Sequence, residues 1–173
     1  TMRRMPDALG VYQRIVERNP SRGEAFRGMA LVHEELGDHE EAMRYYRRVL
    51  EIEPENADVH SDLGVSYQAL DAHEEAIAHW QRAIELDPDH ADALYNIGYT
   101  CQYDLGKPER SIPWWEKFLE LRPDDADAHI RIANACSKVG ETEKAESHFR
   151  EVLERFPHHP QTAEIKKALG ERR

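Results

Sequence analysis

The chain has 173 residues, 40% of them hydrophobic and 33% charged, and its 23 basic and 34 acidic residues give a net charge of −11. This composition is too apolar for a disordered chain and too charged for a membrane protein, and no apolar run approaches the roughly 18 residues of a membrane span. Since negative charge repels phosphate groups, we expect neither a nucleic-acid partner nor direct membrane insertion. Two distant cysteines, Cys101 and Cys136, favour a reducing, cytoplasmic setting.

Five prolines recur along the chain at almost constant spacing. Each closes a run with helical character, such as YYRRVLEIEP, because proline cannot continue a helix. Twelve residues before each proline lies a small residue and eight before it an aromatic one, so both lie on one helix face. The prolines are Pro20, Pro54, Pro88, Pro123 and Pro157; the small residues are Ala8, Ala42, Ala76, Ser111 and Ala145; the aromatic residues are Tyr12, Tyr46, Trp80, Trp115 and Phe149.

The first half of each unit predicts a second kind of helix, which ends in a short turn. A large apolar residue is followed there by a small one, at Met29-Ala30, Leu63-Gly64, Ile97-Gly98 and Ile132-Ala133. Turn sequences follow at Leu36-Gly37-Asp38, Leu70-Asp71-Ala72, Leu105-Gly106-Lys107 and Val139-Gly140-Glu141. Each unit is therefore predicted to be helix, turn, helix, with small residues where the helices cross.

This pattern resembles the tetratricopeptide repeat, and LGVSY at 63–67 followed by EEAIAHWQRAIELDP is a close match. The resemblance implies an all-α solenoid of antiparallel helix hairpins that forms a right-handed superhelix, stabilised by packing between neighbouring repeats. We expect residues 1–22 to hold the second helix of a truncated repeat. Full repeats are expected at 23–56, 57–90, 91–125 and 126–159, and a capping helix at 160–173.

The third repeat departs from the others. It is 35 residues long, and the extra residue lies between Gly98 and Leu105, in either a π-bulge or a longer turn. Trp114 lies beside Trp115, which takes the core aromatic position. We therefore expect Trp114 to point towards the convex side, either as a contact site or flat on its neighbours.

The resemblance also implies a binding site, because the first helices of such arrays line a concave groove that holds peptides. The tyrosines, spaced four apart, would supply contact area and the asparagines backbone hydrogen bonds, while the acidic residues would favour basic residues in the ligand. The alternative is ordinary solvated surface. The main candidates are Asp58, Asp62, Asp92, Tyr95, Asn96, Tyr99, Tyr103, Arg131 and Asn134. The register adds Glu24, Arg27, Leu31, Glu34, Glu35, Ser61, Val65, Gln68, Gln102, Asp127, Ile130 and Lys138.

One subtype of the family grips the C-terminal carboxylate of chaperones with lysine, asparagine and arginine from three successive first helices. Asn96 and Arg131 match two of those positions. Ser61, Val65 and Asp127 do not, and Asp127 would repel a carboxylate. We therefore do not expect chaperone-tail binding.

No pattern predicts catalysis, a metal or a cofactor. Ten histidines are present, but His60 and His129 share a packing position in separate repeats, and no Cys/His cluster has ligand spacing. Phosphate-binding glycine loops, GxSxG and HExxH are absent from the sequence. Acidic pairs such as Glu40-Glu41 recur where second helices begin, which favours a role in offsetting the helix dipole.

The sequence therefore predicts a non-catalytic scaffold that binds a peptide or partner protein. Two alternatives stay open. The N-terminal helix could dock on another copy and form a homo-oligomer, or the array could be an accessory region of a larger enzyme.

Overall fold

The computed structural model describes residues 5–170, with side chains from residue 8 onward. Those residues form helices and no strand, which confirms the predicted all-α class. None of the helices described has the length and apolar character to cross a bilayer. The helices are α1 (Met5–Arg18), α2 (Gly23–Glu35), α3 (His39–Ile52), α4 (Ala57–Ala69), α5 (His73–Leu86), α6 (Ala91–Tyr99), α7 (Pro108–Leu121), α8 (Ala126–Val139), α9 (Thr142–Arg155) and α10 (Thr162–Ala168), with a π-helical segment at Thr100–Asp104.

The expected truncated repeat and the expected capping helix reach the ends of the chain. Helix α1 lies in the former and α10 in the latter. Residues 1–4 of the truncated repeat and 171–173 of the capping helix lie outside the described residues.

The chain divides into two compact units between Ala93 and Leu94. In unit 1 (Thr1–Ala93), α2 packs on α3, α4 packs on α5, and α3 also contacts α4. Apolar residues from α2, α3 and α4 share one core, which comprises Phe26, Ala30, Ala42, Met43, Tyr46, Val49, Val59 and Leu63. Successive helices are thus antiparallel neighbours joined by short loops, as expected for hairpin repeats.

Unit 2 (Leu94–Arg173) repeats this arrangement. Helix α8 packs against both α7 and α9, and α10 contacts α9. A core cluster within the unit joins Ile130, Ala133, Phe149, Val152 and Ile165. Burial of Ile165 to 3% exposure attaches the short helix α10 to α9.

Local sequence explains where several helices begin and end. The side chains of Asn56 and Asp125 cap α4 and α8 by accepting hydrogen bonds from backbone N–H groups, at 3.1 and 2.8 Å. The predicted turns contain residues in the left-handed region, with φ of 86° at Gly140 and 57° at Asp71. Asp71 occupies a place that glycine takes in the other turns, and aspartate tolerates this conformation better than most residues.

The deepest packing contact within a hairpin places a tryptophan directly over a glycine. Trp80 of α5 lies over Gly64 of α4, and Trp115 of α7 lies over Gly98 of α6; both tryptophans are 0% exposed. A Cβ atom on Gly64 would lie 2.4 Å from Trp80 Nε1, and one on Gly98 would lie 2.7 Å from the Trp115 ring. The small residues thus allow the close approach that the sequence predicts.

The extra residue of the third repeat lies in the π-helical segment. The amide of Leu105 donates to the carbonyl of Thr100 at 2.9 Å, five residues earlier, and Lys107 N–H donates to Cys101 O at 2.8 Å. Of the two arrangements left open by the sequence, the structure has the π-helix rather than an extended turn. The wider turn places Gln102 inside unit 2 and Tyr103 on its surface.

Replacing Gly64 with alanine should destabilise the protein by about 1–3 kcal/mol, because the new methyl group overlaps a rigid, fully buried indole. Urea denaturation followed by circular dichroism measures the change. The control is Gly10→Ala in α1, where a Cβ would meet no described atom within 4 Å. That variant should gain about 0.5–1 kcal/mol from helix propensity alone, and an equal loss in both variants would contradict the packing argument.

Candidate functional site

Three tyrosines form a ladder along α6 and the π-helical segment. The ring centroids of Tyr95 and Tyr99 are 6.3 Å apart and nearly parallel, and those of Tyr99 and Tyr103 are 4.9 Å apart. Tyr99 and Tyr103 are 36% and 43% exposed, whereas Tyr95 is half-buried against Trp115 and Phe118. The predicted spacing of four therefore brings the three rings together on one face.

Arg131 of α8 lies against the whole ladder. Its guanidinium carbon is 5.3 Å from the centroid of Tyr95 and 5.6 Å from those of Tyr99 and Tyr103. It also lies 5.5 Å from Trp115, and its Nη2 donates a hydrogen bond to the Tyr95 hydroxyl at 3.0 Å. We call Tyr95, Tyr99, Tyr103 and Arg131 the tyrosine–arginine cluster. Attraction between the cation and the ring faces holds the exposed rings in place.

A buried hydrogen-bond chain supports this cluster from below. The indole N–H of Trp115 donates to Gln102 Oε1 at 2.8 Å, and Gln102 Nε2 donates to the carbonyl of Arg131 at 3.1 Å. The buried Nε of Arg131 has no hydrogen-bond acceptor among the described residues. These hydrogen bonds connect α7, the π-helical segment and α8, so they fix the backbone that carries Arg131.

Three residues expected to face the groove are buried instead, so the prediction that they lie on the groove-facing side of the first helices is wrong. The π-helical turn directs Gln102 inward, where it is 2% exposed. Ile130 belongs to the apolar core of unit 2 at 4% exposure. Ser61 is 6% exposed, at the point where its carbonyl accepts a hydrogen bond from Trp80 Nε1 at 3.1 Å.

The remaining candidates of α6, α7 and α8 lie at or near the surface. Asp92 and Asn134 are exposed, and Asn96 is partly buried. Trp114 is also partly buried, and the ammonium of Lys117 lies 5.3 Å from its ring centroid. A contact role for Trp114 stays a prediction.

In unit 1, the predicted acidic lining is partly neutralised by Arg27 of α2. The Nε of Arg27 donates to Asp62 Oδ2 at 2.9 Å, and its Nη1 donates to Asp58 Oδ2 at 3.3 Å. Burial raises the pKa of the Asp62 carboxyl, although the hydrogen bond and charge of Arg27 lower it. The Asp58 side chain is 63% exposed and that of Asp62 only 22%, so Asp58 is the more accessible of the two.

The same face of unit 1 carries exposed apolar side chains at a repeated position. Leu31 is 44% exposed and Val65 is 41% exposed, and they lie 34 residues apart. Tyr99 follows Val65 by a further 34 residues and holds the corresponding position in the third repeat. This position therefore presents an apolar or aromatic side chain to solvent in both units.

Two histidine pairs that the sequence did not single out lie across hairpins. Nδ1 atoms of His60 and His79 lie 3.3 Å apart, and those of His129 and His148 lie 3.0 Å apart. Each pair joins the two helices of one hairpin and has the same separation of 19 residues along the chain. That repeated separation was present in the sequence and could have identified both pairs.

The two cysteines are buried in unit 2. Cys101 is 1% exposed and Cys136 is 0% exposed. Burial raises the pKa of the Cys136 thiol to about 11. Both therefore behave as the small core residues that the sequence predicts.

Comparison with known proteins identifies the repeat. Three family models described as Tetratricopeptide repeat match the chain, one at residues 33–95, one at 1–57 and 102–160, and one at 79–112. No curated protein matches.

Solved structures share the fold over nearly the whole chain. The chain is similar to MamA with 24% identity and a TM-score of 0.78, over 95% of this chain and 91% of that one. It is similar to YrrB, described as a TPR protein with an unusual peptide-binding site, with 23% identity and a TM-score of 0.75, over 96% of this chain and 85% of that one. It is also similar to pilF of Pseudomonas aeruginosa, with 20% identity and a TM-score of 0.77, over 96% and 78%.

Arg131→Lys should destabilise unit 2 by about 1–2 kcal/mol, because lysine keeps the charge but loses the planar group that lies against the rings. Urea denaturation measures the difference. Lys138→Arg, on the exposed part of the same helix, is the control and should stay within about 0.5 kcal/mol of the parent. Unchanged stability in Arg131→Lys would show that the ring contacts contribute nothing.

Acid should weaken unit 1 through the pair His60 and His79. Burial lowers the pKa of both imidazoles below the usual value of 6.5. The charges of His60 and Arg47 lower the pKa of His79 further, and for His60 the charge of Arg82 lowers the pKa while the hydrogen bond to Pro54 raises it. Below pH 6.5 the unfolded chain therefore binds more protons than the folded one. The contribution of the pair to the free energy of unfolding is fully present above pH 6.5 and decreases as the pH drops.

Denaturation midpoints at pH 7.5, 6.5 and 5.5 measure this dependence. His79→Gln should flatten the decline, while His158→Gln, at an exposed position, should leave it unchanged. The same decline in all three proteins would contradict the assignment to this pair.

Proposed function

Because the chain belongs to the tetratricopeptide-repeat family, we propose that it binds a peptide or a segment of a partner protein on the face formed by its first helices. Proteins of this family are typically non-catalytic interaction modules. YrrB, which has the same fold, is described as having a peptide-binding site. That description supports a peptide as the class of ligand.

The observation that carries the proposal is the tyrosine–arginine cluster. Tyr99 and Tyr103 expose large ring surfaces while Arg131 holds them in one arrangement. Rings fixed before binding lose little conformational freedom on contact with a ligand, so more of the contact energy contributes to affinity. Tyrosine also combines apolar area with a hydroxyl group, and it is enriched at protein interfaces for this reason.

The chemistry around the cluster favours an apolar or aromatic side chain in the ligand. Such a side chain would lie across the exposed rings of Tyr99 and Tyr103. The amide of Asn134 is exposed on α8 and that of Asn96 is partly buried on α6. Both can donate to and accept from the backbone of an extended segment.

Unit 1 adds a charge preference. Both carboxylates contact Arg27, and a basic ligand residue is best met by Asp58, whose side chain is 63% exposed against 22% for Asp62. The exposed Leu31 and Val65 lie on the same first-helix face. We therefore propose that the segment bound in unit 1 combines basic and apolar residues.

The test begins with peptides selected from a random phage-displayed library against the parent protein. The double variant Tyr99→Ala, Tyr103→Ala should bind the selected peptides at least tenfold more weakly, since buried tyrosines at interfaces often contribute 1 kcal/mol or more each, by a rough estimate. Both side chains are exposed, so the fold should survive, and circular dichroism checks this.

Val11→Ser is the control, because Val11 is a 46% exposed apolar residue on α1 and lies outside the residues proposed to bind. It should leave the affinity of cluster-binding peptides unchanged. Equal affinity of the double variant and the parent protein for every selected peptide would refute the proposed role of the cluster.

A further inference from the structure

We propose that His129, His148 and Glu151 form a site for a divalent transition metal of the zinc type, which joins α8 to α9. His129 lies on α8, and His148 and Glu151 lie on α9. One ligand atom from each of the three side chains lies within 4.8 Å of the other two. Two imidazoles and one carboxylate are a ligand set that zinc uses when it keeps a further position open.

The surroundings of His129 prepare it for metal binding. Its Nε2–H donates to the carbonyl of Pro123 at 3.4 Å, and this contact favours the tautomer in which Nδ1 carries a lone pair. That Nδ1 faces the Nδ1 of His148 at 3.0 Å. Histidines that bind metals commonly donate their other ring N–H to a carbonyl in this way. The ring of His129 is 5% exposed, so it has little freedom to turn away.

The distances fit a tetrahedral ion. Zinc bonds of about 2.0–2.1 Å in a tetrahedron separate neighbouring ligand atoms by about 3.3 Å. The observed separations are 3.0 Å between the two Nδ1 atoms and 3.7 Å between His129 Nδ1 and Glu151 Oε2. Adjustments of about 0.4 Å would bring these two separations to the tetrahedral value, and the ligand atoms of His148 and Glu151 lie within 4.8 Å of each other.

Charge and access also favour a cation here. Arg155 Nη1 donates a hydrogen bond to Glu151 Oε1 at 2.7 Å, which leaves Oε2 towards His129. The Glu151 side chain is 38% exposed, so a metal held there can bind water or a partner's carboxylate at its open position.

The chain contains a matched pair of histidines that lacks the acid. In unit 1, the Nδ1 atoms of His60 and His79 are 3.3 Å apart, and His60 Nε2–H donates to the carbonyl of Pro54 at 3.3 Å. The residue three positions after His79 is Arg82, whereas the residue three positions after His148 is Glu151. An arginine repels the ion that a glutamate would bind, and Arg47 lies near His79 where Glu116 lies near His148.

Isothermal titration with zinc chloride, on untagged protein stripped with a chelator, tests this assignment. The parent protein should bind one zinc ion. Glu151→Arg should bind none, and Arg82→Glu should bind two, because it gives unit 1 the same ligand set. Arg82 is exposed, so the fold should tolerate the change.

Further variants distinguish zinc bound at this site from zinc bound elsewhere, and loss of the site from loss of the fold. His158→Ala, His159→Ala removes the neighbouring histidines near the end of the chain and should still bind one ion. If Glu151→Arg is poorly folded by circular dichroism, Glu151→Gln should be folded and bind zinc at least tenfold more weakly.

Cobalt(II) gives an independent reading, because tetrahedral coordination produces strong visible absorption. That absorption should appear in the parent protein and vanish in Glu151→Gln. The proposal is overturned if zinc does not bind the parent protein, if Glu151→Arg keeps the parent stoichiometry, or if Arg82→Glu gains no second ion.

Discussion

The contact between a buried tryptophan and a glycine is the constraint on which the α4–α5 and α6–α7 hairpins depend. Trp80 over Gly64 and Trp115 over Gly98 set how closely two helices approach, and a side chain on either glycine would force them apart. Large apolar residues fill the space around these contacts, so the fold needs few long-range connections. The exposed faces of the first helices therefore take no part in this packing and can carry polar and aromatic side chains.

The helices and turns of the repeats could be predicted from the sequence because they depend on the spacing of residues along the chain. Prolines 34 or 35 residues apart and small residues in fixed register define helices and turns without knowledge of distant contacts. The tyrosine ladder follows from spacing as well, since its members lie on consecutive turns. The wider turn at 100–104 changed the direction of Gln102, which a constant helical period could not anticipate.

The rest of the candidate site is formed by contacts between different helices. The geometry of these contacts could not be predicted from spacing along the sequence. Arg131 reaches the ladder from 28 or more residues away, and Arg27 reaches Asp62 across two helices. The histidine pairs were within reach of sequence reasoning, because their separation of 19 residues recurs. Ligand spacing within one segment does not reveal them, because each pair joins the two helices of a hairpin.

The π-helical segment has a consequence for how such a surface can evolve. A one-residue insertion in an ordinary α-helix turns everything after it by about 100°, but here the wide turn absorbs the added residue. The added residue lengthens only the spacing from Pro88 to Pro123, which is 35 residues, and Pro157 again follows Pro123 by 34 residues. Gain or loss of a single codon can therefore reorient the residues of one helix end, including Tyr103, while the neighbouring repeats keep their register. Recognition can diversify in this way without disturbing the fold.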